Sequence, residues 1–320
     1  MIRMPSTYRS ILLALLIAGC VTLPLPSRPG SPNHRLPEGM DGYDYPKQPL
    51  VEKILSEETR HGYSLLRLTL SSGGADAAQP IRVDWYRSSR SGRLPVILIS
   101  PILAGNDLYI RDFANYYAAR GLHAVIVYRP KEIFSGNRPL QDIENHLRES
   151  ILQMRRALDW LEQRDSVDAQ RIGSFAISLG AILTCVLAAV EPRIRATVLG
   201  LPAGDIAEIL MTSQDKSIRK RRRNYLKENR LTEEEALERL KAAIRSEPMR
   251  FAPYVPPDRA LIIAGLFDRV VGFQRSLELW RKMGRPPLIL LPTGHYSAAL
   301  ATPYLKAATY SFLRRKLAAE

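Results

Sequence analysis

Arg171-Ile-Gly-Ser-Phe-Ala-Ile-Ser178-Leu-Gly-Ala181 is the stretch that decides how this chain folds. Residues 172–177 are uncharged and almost wholly apolar, the pattern of a strand buried on both faces. Residues 179–190 are rich in Ala and Leu with no breaker after Gly180, which predicts a helix. Between the two stands Ser178, with Ala176 two residues before it and Gly180 two residues after. A sharp strand-to-helix turn that lifts a hydroxyl above the end of a sheet crowds the backbone on either side, so it needs neighbours with little or no Cβ.

This is the layout of a nucleophile elbow, whose usual string is Gly-x-Ser-x-Gly; here Ala176 replaces the first Gly. An ordinary strand–helix junction with a structural serine has the same string, so the rest of the chain must separate the two readings. Outward from the elbow, apolar runs at 94–100, 124–128, 196–201, 260–267 and 288–291 read as strands. Helices are predicted over 107–120, with Ile110, Phe113, Ala114 and Tyr117 on one face, and around the stripe Leu147, Ile151, Met154, Leu158 and Leu161. A last helix is predicted over 298–316. Two further strands, 63–70 and 81–86, flank a Gly73-Gly74 turn and give an antiparallel start. Alternating strands and helices imply an α/β fold: a mostly parallel sheet of about eight strands with helices on both faces.

One insert, 205–257, interrupts the alternation. It is charged and helical in pattern: Thr232-Glu-Glu-Glu235 has the form of a capping box, with Ala236, Leu237, Leu240 and Ile244 following at helical spacing. At this place it would cover the carboxyl edge of the sheet, where α/β sites sit, as a helical cap. Within it, Lys216, Arg219, Lys220, Arg221, Arg222, Arg223, Lys227 and Arg230 stand against one acid, Glu228. Such a run reads either as a solvated helix face or as a contact for anionic lipid headgroups. Nucleic acid is not expected, because aromatic residues are sparse between the charges.

The 320 residues carry a formal charge of +14, with 46% hydrophobic and 24% charged residues. That balance is globular, and the charge implies an anionic neighbour. Arg3 and Arg9 precede an apolar run at 11–18 that ends in Gly19-Cys20, the layout of a secretory leader. The run falls well short of the roughly 20 apolar residues a membrane span requires. Ile17-Ala-Gly-Cys20 resembles the bacterial lipobox, which implies removal of 1–19, lipidation of Cys20 and an exported, membrane-anchored protein. Inner-membrane lipoproteins typically carry Asp where this chain has Val21, so the resemblance implies the outer membrane, facing the periplasm. The alternative is a plain leader with an incidental Cys20. Residues 20–50, with Pro24, Pro26, Pro29, Pro32, Pro37, Pro46 and Pro49, are expected as an extended tether. The folded domain then runs over 51–320. Cys185, the other cysteine, reads as a small buried hydrophobe, and no Cys/His cluster has metal-ligand spacing.

A serine hydroxyl is a weak nucleophile until a base takes its proton, and the base needs a third group to orient it. Asp268 follows the 260–267 run and His295 the 288–291 run, so both fall just past strands and after Ser178. Of the other histidines, His34 lies in the tether, and His61, His123 and His146 all precede the elbow. Asp205 and Asp258 are alternatives for the acid. Taken together, the elbow, the alternation and the order Ser, Asp, His resemble the α/β-hydrolase superfamily, in particular its serine esterases, lipases and dienelactone-hydrolase-like members, over residues 63–317. The resemblance implies Ser178 as nucleophile, His295 as general base and Asp268 as the group that orients it. It also implies an oxyanion hole from the backbone N–H groups of Leu179 and Ile102, with Leu103 second, although Ser100-Pro101 stands where the family has His-Gly. The implied activity is cofactor-free hydrolysis of a carboxylic ester, small or lipid-like, through an acyl-enzyme. A thioesterase, lipase or peptidase of the same fold, or a non-catalytic scaffold that binds an envelope component, are the other readings.

Overall fold

The computed structural model describes residues 21–23, 36, 42–72, 80–103, 108–129 and 140–318. The leader, Cys20, most of the 20–50 stretch and the Gly73-Gly74 turn lie outside the described residues. The strands are β1 (Val21–Leu23), β2 (Leu50–Arg60), β3 (Tyr63–Ser72), β4 (Ile81–Ser88), β5 (Leu94–Ser100), β6 (His123–Val127), β7 (Val167–Ile177), β8 (Ile194–Gly200), β9 (Ala260–Gly265) and β10 (Leu288–Leu291). They form one sheet in the order β1-β10-β9-β8-β7-β5-β6-β4-β3-β2. From β10 to β6 neighbouring strands are parallel. The pairings at both ends, β1 with β10 and β6 through β4 and β3 to β2, are antiparallel.

Strand residues alternate between two cores, as the period of two requires. Val96 and Leu98 of β5 pack into the core shared with α2 (Leu140–Glu162) and α3 (Leu179–Val190). Ile97 and Ile99, with Phe175 of β7, face the opposite core of α1 (Leu108–Ala118) and α9 (Thr302–Lys316). There Phe175 stacks on Phe113 at 4.5 Å and meets Tyr117 edge-on at 5.7 Å. Because β5 leads to β6 on one side while β7 lies on its other, the centre of the sheet is a switch point, and the crevice above it is where α/β folds hold ligands.

Three features depart from the sequence expectation. First, the antiparallel start has three strands: β2 is added outside β3, almost wholly exposed and bulged between Ile54 and Ser56. Its pairing comes from the backbone ladder and from ion pairs such as Glu58 with Arg67 of β3, so no apolar pattern announced it. Secondly, part of the stretch expected as a tether packs on the domain. β1 pairs with β10, the Tyr43 hydroxyl is buried 2.7 Å from Ser246 Oγ, and Tyr45 donates to Asp159 at 2.6 Å. A density of prolines conceals what two aromatic rings can bury. Thirdly, α8 (Phe273–Lys282) lies between β9 and β10, burying Leu279 and Trp280, where no helix was expected.

The insert forms α4 (Ile206–Thr212), α5 (Lys216–Asn229), α6 (Glu233–Ala243) and the single turn α7 (Pro248–Phe251). The capping box at α6 is present: the Thr232 hydroxyl accepts from Glu235 N–H at 3.1 Å, and Glu235 accepts from Thr232 N–H at 2.9 Å.

Phe175→Ala should lower the free energy of unfolding by about 3–5 kcal/mol, read from the shift of a urea midpoint, because a fully buried ring between two aromatic neighbours leaves a cavity.

Candidate active site

Ser178 sits between β7 and α3 with φ 57° and ψ −128°, a conformation that non-glycine residues rarely adopt. Its N–H donates to Gly200 O at 2.8 Å, and its own carbonyl accepts the first helical bond, from Ile182 N–H at 3.0 Å. Gly180 shows why a small residue is needed after it: a Cβ there would lie 2.6 Å from Ser100 O and 2.8 Å from Pro101 O. The helix therefore begins in backbone contact with the end of β5.

The sheet brings three of the sequence candidates together. His295 Nε2 lies 2.9 Å from Ser178 Oγ, and its Nδ1 lies 2.7 Å from Asp268 Oδ2. An ionised carboxylate can only accept, so Nδ1 carries the proton and Nε2 presents a lone pair to the serine hydroxyl. The second oxygen, Asp268 Oδ1, accepts from the N–H groups of Val270 at 2.9 Å and Val271 at 3.1 Å, which fixes the carboxylate in place. Asp268 and His295 are held at a set separation because their loops pair: Phe267 N–H donates to Thr293 O at 3.0 Å and Leu266 N–H to Leu291 O at 2.9 Å. Only 1% of the Asp268 side chain and 8% of the His295 side chain is exposed, so water competes little for these bonds.

The rival residues lie elsewhere. Asp205 is in a left-handed conformation at the start of α4, where its N–H and that of Ile206 donate to Glu247 at 2.8 Å. Asp258 precedes β9 and so occupies the opposite end of that strand from Asp268. His123, at the amino end of β6, takes Ser88 N–H on Nδ1 and lies 3.0 Å from Ser166 O through Nε2; its burial lowers its pKa. His61 is exposed in the β2–β3 turn, His146 binds Asp142 O from α2, and His34 is outside the described residues. Burial raises the Cys185 thiol, which packs in an apolar cluster with Ala176 and Ala181.

Leu179 and Ile102, the expected oxyanion donors, line the same cavity as Ser178, as does Leu103. The carbonyls of Pro101 and Ile102 are both taken by the Arg129 guanidinium, the second at 2.6 Å. Arg129 is thus a positioning residue for this loop that the sequence reading did not single out. The cavity, of about 430 Å³, is walled on one side by the insert: Ile206, Ile209 and Met211 of α4, Ile218, Arg221, Arg222 and Tyr225 of α5, and Leu240 of α6. At its rim Tyr296, next to His295, donates its hydroxyl to Asp215, the cap residue of α5. Partial burial works to raise the Asp215 carboxyl, yet hydrogen bonds from Ser217, Tyr296 and the Ile218 N–H hold it down at about 2. Among the described residues no group of His, Cys, Asp and Glu could hold a metal ion, and no helix is long and apolar enough to cross a membrane.

No family model matches the chain. An acetyl xylan esterase from Paenibacillus sp. R4 superposes with a TM-score of 0.61 at 18% identity, covering 84% of this chain and 89% of that one. Acetyl xylan esterase 1 from Thermoanaerobacterium sp. JW/SL YS485 gives 0.60 at 16% identity, covering 96% and 99%. A glucuronoyl esterase from Teredinibacter turnerae T7901 gives 0.58 at 14%, covering 98% and 84%. The chain has the α/β-hydrolase fold. In sequence, this chain is 26% identical over 164 residues to uncharacterized proteins of two Mycobacterium tuberculosis strains, over 51% of its length and 37% of theirs. The match thus spans little more than a third of those curated relatives.

Gly180→Ala should push the Ser100–Pro101 backbone away from the elbow. If that loop carries an oxyanion donor, turnover of a nitrophenyl ester should fall by about 10²–10³. Overpacking should cost about 1–3 kcal/mol in a urea melt.

Proposed function

We propose that this protein is a serine hydrolase that cleaves a carboxylic ester through an acyl-enzyme. The observation that carries the reading is the unbroken hydrogen-bonded line Asp268–His295–Ser178 at the crest of the elbow. In this mechanism His295 Nε2 takes the hydroxyl proton as Ser178 Oγ bonds to the ester carbonyl carbon. The carbonyl oxygen becomes an oxyanion, met by the N–H groups of Leu179 and Ile102. His295, charged at this stage and stabilised by Asp268, returns the proton to the departing alcohol oxygen as the carbon–oxygen bond breaks. Water then repeats the sequence on the acyl-serine, with His295 again as base, and releases the acid. The solved structures of the same fold named above are esterases, which accords with this chemistry.

The proposal extends to location: a protein exported under the 1–19 leader, lipidated at Cys20 and held at the outer membrane facing the periplasm. The exposed basic residues of α5, such as Arg219, Lys220 and Arg223, suit contact with anionic headgroups, whereas Arg221 and Arg222 line the cavity.

Ser178→Ala should reduce hydrolysis of a short-chain nitrophenyl ester by roughly 10⁶ and abolish labelling by a fluorophosphonate. Asp268→Asn, which leaves the shape but spoils the tautomer, should cost roughly 10⁴. Undiminished turnover in the serine variant, or a wild-type protein that takes no label, rejects the assignment. Separately, Cys20→Ser should move the chain from the membrane pellet to the soluble fraction after cell lysis; a variant that still sediments with membranes removes the anchor.

A further inference from the structure

We infer that the substrate is an ester of a mid-length fatty acid, its acyl chain running under the cap and its polar alcohol held at the mouth. The inference rests on the serine-hydrolase reading, because that chemistry fixes which half of the ester lies where. His295 must protonate the departing oxygen, so the alcohol lies on the His295 side of Ser178. That side leads outward: Tyr296 is 67% exposed, and Asp215, Ser217 and Arg221, also lining the cavity, bring polar and charged groups there.

The acyl group then points the other way, past Leu179 and the Ile102 loop. One helical turn beyond Leu179 is Ile182, 4% exposed, and to the same apolar cluster the cap supplies Ile206 at 6% and Leu240 at 2%. These side chains all line the same cavity of about 430 Å³, and all are aliphatic. An acetyl group would leave this aliphatic space unfilled, with the lining lacking partner atoms. A longer chain transfers each added methylene from water to hydrocarbon, about fourfold in kcat/KM per carbon. The cavity holds only about 430 Å³, so the gain must end once that space is filled.

The experiment uses the full chain with two series of esters. In the first, a nitrophenyl leaving group is constant and the acyl group runs from acetate through butanoate and octanoate to hexadecanoate. In the second, acetate is constant and the alcohol runs from ethyl to octyl. In the first series kcat/KM should rise on the order of 10³-fold from acetate to octanoate and fall at hexadecanoate. In the second it should stay nearly level. Leu240→Phe should lower the ratio of octanoate to acetate turnover, a ratio taken within one preparation and so independent of how much variant folds. Acetate turned over as well as octanoate, or a steep dependence on the alcohol in place of the acyl group, overturns the inference while leaving the hydrolase standing. Failure of every ester together with absence of fluorophosphonate label overturns both.

Discussion

The contact on which everything else in the site depends is backbone against backbone: Gly180 of α3 lying over the carbonyls of Ser100 and Pro101 at the end of β5. Only a residue without a side chain permits it. The contact lets the chain leave β7, turn through Ser178 at φ 57° and enter the helix while staying above the sheet. A serine in that conformation costs of order 1–3 kcal/mol, and it persists where the surroundings over-determine it. Here they do: the N–H is tied to Gly200 on β8, and nearly every residue of α3 is buried.

From that turn follows a division of labour. The atoms of the hydrogen-bonded line belong to the short loops after β7, β9 and β10, and pairing between the β9 and β10 loops sets the spacing of Asp268 and His295. The insert contributes no member to that hydrogen-bonded line; it contributes walls. Placing reacting groups on rigid elements and shape on an insertion lets one vary without the other. The Tyr296–Asp215 bond is one joint between the two parts at the site, running from the residue after the histidine to the cap residue of α5.

What could be read from the sequence was what is local. The elbow, the strands beside it and the α6 capping box are each carried by a few neighbouring residues, and Asp268 and His295 each stand directly after an apolar run. What could not be read depends on distant partners or on exposure. Arg129 meets the 101–102 carbonyls across roughly two secondary elements, and no pattern near Arg129 marks it. In the basic 216–230 run, counting charge hid a periodicity: Ile218, Arg221, Arg222 and Tyr225 recur at helical spacing and face the cavity. Asp205 and Asp268 each follow a strand and look alike in sequence. The difference arises because the β9 and β10 loops pair with each other, whereas Asp205 begins a helix that leads into the cap.

The two departures from the usual motif bear on whether such a site is built for chemistry or is a relic. Ala176 replaces a glycine, yet it is fully buried beneath the turn, paired in register with Ser100 and Leu199, and its methyl group joins the core with Ala181 and Leu199. The position that cannot accept a Cβ is 180, and there the glycine is kept. Pro101 removes a donor from the loop after β5 but leaves its carbonyl, and Arg129 takes that carbonyl together with the next. A proline with fixed φ and a guanidinium that engages two successive carbonyls both restrict the loop. Neither departure, then, loosens the geometry around Ser178; the substitutions fall where the fold tolerates them or supports them by other contacts.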